Sequence, residues 1–229
     1  MAVSIIVPTL NEEVALPETL RALFSLRGQF EVIVADGGSD DQTVNIARSA
    51  GAIVVDSPRG RGQQQNAGAA VATGHILWFV HADSGPDPDA LEAIAGVLAD
   101  TRVVGGNFTL SFDGGTRAAR NLTIAYPYFR LLGLCYGDSG IFIRRNVYDA
   151  LGGFKAYPLF EDVDLVWRIK RVGKFVRLPC RLTTSSRRFE SRSFLKTFAQ
   201  WTLLQVLFWA GVSPFRLAKM YADIRRSPH

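Results

Sequence analysis

Acidic and amide side chains in this sequence stand directly after short apolar runs, and that placement indicates what chemistry they can do. Ile76-Leu77-Trp78-Phe79-Val80 suits a buried strand and ends in His81-Ala82-Asp83-Ser84. In open α/β sheets ligands gather outside the carboxyl ends of the strands, so Asp83 stands where a carboxylate can hold a divalent cation. Two roles suit it at this point: metal ligand, or cap of a helix begun at Pro86 or Asp87. Pro8-Thr9-Leu10-Asn11-Glu12 follows an earlier apolar run in the same way, and Asn11 and Glu12 suit either a nucleobase contact or a helix cap. Ala35-Asp36-Gly37-Gly38-Ser39-Asp40-Asp41 closes a third run. There the paired glycines allow close backbone approach, Asp36 can accept hydrogen bonds from a ribose or base edge, and Ser39 or Asp40 suits a helix cap.

Arg59-Gly60-Arg61-Gly62-Gln63-Gln64-Gln65-Asn66-Ala67-Gly68 is a basic, glycine-rich loop entering a helix. Two guanidinium groups beside the unsatisfied N–H groups of a helix start make a diphosphate cradle. With a nucleoside held by the first two strand ends, a cation on Asp83 would bridge the phosphates and neutralise a departing nucleoside diphosphate. Neither the dinucleotide fingerprint GxGxxG nor a phosphate-binding loop with its Lys and Ser or Thr is present.

The elements that must position these groups follow from the hydrophobic pattern. Val3 to Val7, Glu31 to Ala35, Ile53 to Val55 and Ile76 to Val80 read as strands. They alternate with helical patterns over Glu13 to Leu26, Gln42 to Ser49, Gln63 to Ala72 and Ala90 to Leu98. That βα alternation predicts a parallel sheet with helices on both faces and right-handed crossovers. Val103 to Phe112 and Gly140 to Ile143 read as further strands, Arg117 to Leu134 as an aromatic-rich helical connector, and Phe175 to Leu178 as a short strand. Asp162 to Val172 predicts a helix with Val163, Val166 and Ile169 on one buried face, which places Glu161 and Asp162 at its N-terminus.

The chain has 229 residues and a net charge of +5, distributed unevenly. From Leu165 onward there are 14 Lys or Arg against 2 acidic residues, whereas the preceding part has 12 against 19. Such asymmetry points to a partner with negative charge, and the clustering of aromatics in one apolar helical stretch disfavours nucleic acid. That stretch, Phe194 to Trp209, is short for a spanning helix and suits a membrane-surface or dimer contact. The expected organisation is one α/β domain over residues 1–190 and a helical aromatic and basic extension over residues 191–229. Cys135 and Cys180 form no metal-ligand or disulfide pattern, and the first residues read as a strand rather than a secretory signal. A cytoplasmic protein, peripheral on the inner face of the plasma membrane, is the expectation.

Taken in order, Pro8-Thr9-Leu10-Asn11-Glu12, Asp36-Gly37-Gly38-Ser39-Asp40, Asn66-Ala67-Gly68 with Gly74, the strand ending in Asp83, and Phe160-Glu161-Asp162-Val163-Asp164-Leu165 resemble the motifs of family 2 glycosyltransferases of the GT-A fold. The resemblance is nearer to a small bacterial single-domain group, which Gly211-Val212-Ser213-Pro214 also matches. It implies a Rossmann-like, mostly parallel open sheet flanked by helices, with C-terminal amphipathic helices. It implies a UDP- or GDP-sugar donor, Mn²⁺ or Mg²⁺, and transfer with inversion to an acceptor hydroxyl, on a lipid-linked acceptor if the extension meets a membrane. By resemblance the donor-binding set is Pro8, Thr9, Asn11, Glu12, Asp36, Gly38, Arg61, Gln65, Asn66, Ala82 and Asp83. Asp162 is the expected base with Glu161 beside it, and Asp138 and Arg188 are expected on the acceptor side. Two departures stand out: His81 replaces the first acid of the Asp-x-Asp metal motif, and no Gln-x-x-Arg-Trp follows the base. His81 is a candidate second metal ligand, and processive polymerisation is disfavoured. These departures also leave open a noncatalytic nucleotide-sugar or membrane-binding module on the same fold.

Overall fold

The computed structural model describes residues 2–112, 139–184 and 194–226. Its sheet has the order β3-β2-β1-β4-β7-β6-β8-β5. The strands are β1 Val3–Thr9, β2 Phe30–Asp36, β3 Ile53–Asp56, β4 Ile76–Phe79, β5 Ser84–Pro86, β6 Val103–Phe112, β7 Phe142–Arg144 and β8 Lys174–Thr184. The helices are α1 Leu16–Phe24, α2 Thr43–Ser49, α3 Arg61–Val71, α4 Ala90–Leu98, α5 Arg145–Ala150, α6 Glu161–Val172, α7 Phe194–Trp209 and α8 Pro214–Arg226.

The first four strands pair in parallel around β1, as the βα alternation requires. Their side chains alternate between two cores. Val3, Ile5 and Val7 of β1 and Ile76, Trp78 and Val80 at β4 pack with Leu16, Leu20 and Leu23 of α1 and Ile94 of α4. Ile6, Leu77 and Phe79 face the other way, onto Ala69 of α3 and Leu165, Val166 and Ile169 of α6. Both faces being covered, these strands carry nearly continuous apolar runs, and the carboxyl ends of β1, β2 and β4 lie side by side at one edge of the sheet. Beyond β4 the sheet becomes mixed, because β7 runs antiparallel to both β4 and β6, while β6 and β8 are parallel.

Three sequence expectations are corrected here. No helix begins at Pro86 or Asp87: Ser84–Pro86 is a strand, pairing Ser84 with Thr184 of β8, and α4 starts at Ala90. Asp83 therefore caps no helix. Strand β8 is longer than the apolar run Phe175 to Leu178 suggests, because alternation with Arg177 and Arg181 suits a strand with one exposed face. Helix α5, which begins at Arg145, is an element the hydrophobic pattern does not predict.

Helices α7 and α8 form a hairpin turned at Gly211 and Val212, with Pro214 at the start of α8. Among the described residues no helix is long and apolar enough to cross a membrane. Leu204 and Leu217 of the hairpin share a core with Phe160 and Val163, so it packs directly against the start of α6. Trp201 faces inward, 6.2 Å from the Phe160 ring and 5.0 Å from the Tyr221 ring, whereas Trp209 is 51% exposed.

Candidate active site

At the ends of β1 and β2 the polar groups form one saturated network. Asp36, 3% exposed, accepts from Thr9 Oγ1 at 3.0 Å and Ser39 Oγ at 2.6 Å on one oxygen, and from the Gly38 and Ser39 amides at 2.9 and 2.7 Å on the other. Burial pushes this carboxyl up, but the hydrogen bonds from Ser39, Thr9 and Gly38 outweigh it and hold the pKa below the usual carboxylate value. Gly38 has φ 86°, which lets two successive amides turn onto one carboxylate oxygen. Asn11 sits in the left-handed region, its amide donating to Ser39 Oγ and its Oδ1 accepting from Asp40 N, so it ties the two loops together. The Glu12 amide donates to Thr43 Oγ1. No side chain caps α1, and Asp41 rather than Ser39 or Asp40 receives the Thr43 amide at the start of α2. Pro8 pairs opposite Ala35 at the same strand ends.

The sequence reading missed the residue that locks this corner from below. Gln64, buried on α3, donates from Nε2 to Thr9 O at 2.6 Å and to Ala35 O at 3.1 Å. The run Gln63-Gln64-Gln65 offers three like amides, and only the phase of the helix tells which ones face the sheet. Asn66 is fully engaged on the opposite side: its Oδ1 accepts from Tyr148 and the Phe154 amide, and its Nδ2 donates to Phe154 O. It tethers α3 to the segment after α5.

At β4, the Ala82 carbonyl accepts from Thr19 Oγ1 at 2.7 Å, fixing the strand end to α1. Asp83 and His81 are half-buried, and Thr184 Oγ1 lies 3.5 Å from Asp83 Oδ1. Among the described residues there is no group of three or more His, Cys, Asp or Glu able to enclose a metal. Asp83, with His81 two positions before it, encloses no ion by itself, and a cation held there would take its remaining positions from phosphate and water oxygens, the usual arrangement for Mg²⁺ with nucleotides.

Against the first turn of α3, α6 begins with Glu161 and Asp162, both buried. The N-terminal end of the α6 dipole lies at these two residues. Asp162 Oδ1 accepts from Val163 N at 2.8 Å. Glu161 Oε1 lies 3.3 Å from Arg61 Nε, a charge contact without hydrogen-bond geometry, and it joins the two residues expected on the phosphate and base sides. Asp164 faces away, bonded to Lys155 Nζ at 2.9 Å and Arg168 Nε at 2.7 Å, and Arg168 also donates to the carbonyls of Leu151 and Gly153. That i,i+4 pair anchors the α6 start to the preceding loop. Phe160, the residue before Glu161, is in the left-handed region at φ 64° and 4% exposed, its ring stacked at 5.1 Å on Phe208 of α7. Asp138 and Arg188 lie outside the described residues.

A parallel first half joined to a mixed second half, flanked by helices, is the sheet of GT-A glycosyltransferases. The family model for glycosyl transferase family 2 matches residues 4–158, and the chain belongs to that family. It is 25% identical over 210 residues to a probable glycosyltransferase, YdaM, of Bacillus subtilis, covering 79% of this chain and 50% of that protein. It is 29% identical over 186 residues to glycosyltransferase AglE of Haloferax volcanii, covering 72% and 59% respectively. The chain thus spans about half the length of the curated relatives it matches. Glucosyl-3-phosphoglycerate synthase of Mycobacterium tuberculosis, solved with Mn²⁺, UDP and glucosyl-3-phosphoglycerate, superposes with a TM-score of 0.66 at 21% identity, covering 92% of this chain and 80% of that one. A mannosyltransferase of Pyrobaculum calidifontis, solved with GDP-mannose and Mn²⁺, gives 0.64 at 23% identity, covering 78% and 56%.

Proposed function

We propose that this chain transfers a sugar from a UDP- or GDP-sugar to an acceptor hydroxyl with inversion, assisted by Mn²⁺ or Mg²⁺. The observation that carries the reading is that the first turns of α3 join the two polar sites: Gln64 Nε2 donates to Thr9 O beneath the saturated Asp36 corner, and Arg61 Nε lies 3.3 Å from Glu161 Oε1, beside Asp162 at the start of α6. On this reading Thr9, Glu12 and Asp36 receive the nucleoside, with Pro8, Asn11 and Gly38 shaping the corner. Arg61 lies toward the diphosphate. Asp83, with His81, would hold the cation, which when bound supplies charge neutralisation for the leaving diphosphate.

Asp162 takes the proton of the acceptor hydroxyl as that oxygen attacks the anomeric carbon from the side opposite the diphosphate. It stands at the N-terminal end of the α6 dipole, and its burial excludes competing water. Asp138 and Arg188 belong to the acceptor side in this scheme.

The α7–α8 hairpin supports a contact with an anionic membrane surface. Leu203, Val206 and Trp209 form an exposed apolar stripe at helical spacing on α7, and Phe215, Arg216 and Lys219 are exposed on α8. A lipid-linked acceptor would be presented there. Relatives solved with UDP or GDP-mannose and Mn²⁺ support the donor class.

The test is a binding and turnover panel of UDP-, GDP- and TDP-sugars with Mn²⁺, Mg²⁺ or chelator, read by calorimetry and release of nucleoside diphosphate. Metal-dependent binding of one nucleotide class is expected. Absence of any response to every nucleotide sugar, with and without metal, refutes the reading.

A further inference from the structure

We propose that Gln65 and Glu161 together read the hydroxyl groups of the donor's sugar, and that the donor is accordingly a neutral hexosyl rather than a uronosyl nucleotide. This rests on the glycosyl-transfer reading above and specifies its substrate. The first turn of α3 lies against the start of α6: a Cβ on Gly62 would stand 2.7 Å from Lys155 O and 3.5 Å from Glu161 Cβ. Arg61 Nε is 3.3 Å from Glu161 Oε1. Gln65 is three residues beyond Gly62 and four beyond Arg61, hence on the same helix face. Because Cα–Cβ bonds in a helix tilt toward its N-terminus, the Gln65 side chain lies over the turn that meets Glu161.

Gln65 is 4% exposed, yet its Oε1 has no hydrogen-bond partner among the described residues. Glu161 is 3% exposed, and its Oε1 has the Arg61 contact but no hydrogen bond. The neighbours on either side of Gln65 differ: Gln64 and Asn66 are bonded into the fold. Buried acceptors left unpaired are destabilising and seldom retained without a use. The two here lie on facing helix starts, so a ligand that satisfies them must bring donors. A diphosphate carries only acceptors and cannot. Sugar hydroxyls can, each donating its proton to one oxygen. A uronate carboxylate would instead place a further acceptor and a negative charge beside Glu161, where Arg61 is the one cation in contact among the described residues.

The experiment measures by calorimetry, with Mn²⁺, the binding of UDP and GDP and of their hexosyl and uronosyl derivatives to the native chain, Gln65→Met and Gln65→Glu. In Gln65→Met, hexosyl nucleotide binding should weaken about tenfold, the loss of one buried hydrogen bond, with nucleoside diphosphate binding unchanged. The native chain should prefer hexosyl to uronosyl donors, and Gln65→Glu, which adds a second carboxylate beside Glu161, should sharpen that preference. Ligand-free Gln65→Met should melt no lower than the native chain. Equal weakening of nucleoside diphosphate and hexosyl nucleotide, no weakening of either, or tighter uronosyl binding overturns the proposal while leaving glycosyl transfer intact. Failure of both UDP and GDP to bind the native chain overturns the glycosyl-transfer reading and this inference with it.

Discussion

Truncating Phe208 to alanine should slow turnover far more than it weakens donor binding. Phe208 is half-buried in α7 and its ring stacks at 5.1 Å on Phe160, the residue that delivers the chain into Glu161 and Asp162. Phe160 holds φ 64° and ψ 22°, and a non-glycine residue in that region costs about 1–2 kcal/mol. The stack returns about 0.5–1.5 kcal/mol beyond area burial, with the edge contact from Trp201 adding to it. Removing the Phe208 ring therefore takes away support comparable to the strain it opposes. Full truncation of a buried Phe costs about 3–5 kcal/mol, so a half-buried one should cost about 2 kcal/mol of global stability, or roughly 4–8 °C in melting temperature for a chain of this size. Once Phe160 relaxes, the first turn of α6 rotates, and a shift of about 1 Å in a base costs up to about 10²-fold in rate. Steady-state kinetics well below the melting transition should show kcat reduced about 10- to 100-fold and nucleoside diphosphate affinity within about twofold, since Asp36 and Thr9 have their own supports. If the melting temperature falls as expected while kcat is unchanged, the hairpin is packing alone and the coupling argument fails. Phe208→Leu, which restores apolar volume without the stack, should recover stability more fully than rate.

Asp162→Asn should keep donor binding and lose turnover by at least about 10³-fold, because an amide cannot take the acceptor proton; retained turnover in single-turnover assays would move the base elsewhere. Asp83→Ala should abolish the metal dependence of nucleotide binding, and His81→Asp should shift preference from Mn²⁺ toward Mg²⁺ if the imidazole ligates, both read by calorimetry across the two ions. The folded-state pKa of Asp36 is lowered, so its contribution to stability is present in full above the ordinary carboxylate value near about 4 and disappears as pH falls through the lower folded value. Nucleotide affinity should accordingly hold from pH 7 to pH 5, and Asp36→Asn should lower it at pH 7 by about tenfold or more. Flotation with anionic vesicles should be lost in Trp209→Asp, whose ring is outside the core, and unaffected lipid binding in that variant would remove the membrane contact.

The parallel half of the sheet was legible because its signals are local: β-branched runs of the right length, each ended by Gly, Asp or Asn and followed by a helical period. Thr9, Asp36, Asp83 and Glu161 were found at strand and helix ends for the same reason. What escaped was set by partners distant in sequence. Ser84–Pro86 becomes a strand only because β8 extends to Thr184 and pairs with it, so Asp83 could not be separated from a helix cap by its neighbours alone. Gln64 and Asn66 differ by two positions and serve opposite sides of α3, a distinction made by Thr9 and Phe154, both far along the chain. The hairpin reads as an apolar helix with tryptophans at 201 and 209, but only its packing against Phe160 assigns one ring inward and the other outward.

These placements divide the site into two mechanical regimes. Around Asp36 four donors converge on two oxygens and Gln64 ties the loop carbonyls beneath, so the corner is preorganised and little reorganisation is needed when a nucleoside arrives. Around Glu161 the balance is reversed: among the described residues the acid has one charge contact and Gln65 Oε1 no hydrogen bond, and the adjacent Phe160 is held in the left-handed region. A site that bound sugar and nucleotide with equal preorganisation would gain affinity without rate, because only interactions completed in the transition state accelerate transfer. Leaving the strain and the unpaired acceptors on the base side reserves them for the sugar and the incoming hydroxyl. On this argument, variants that remove the unpaired acceptor should leave the free protein at least as stable and make the enzyme slower, whereas variants of the Asp36 corner should make both worse.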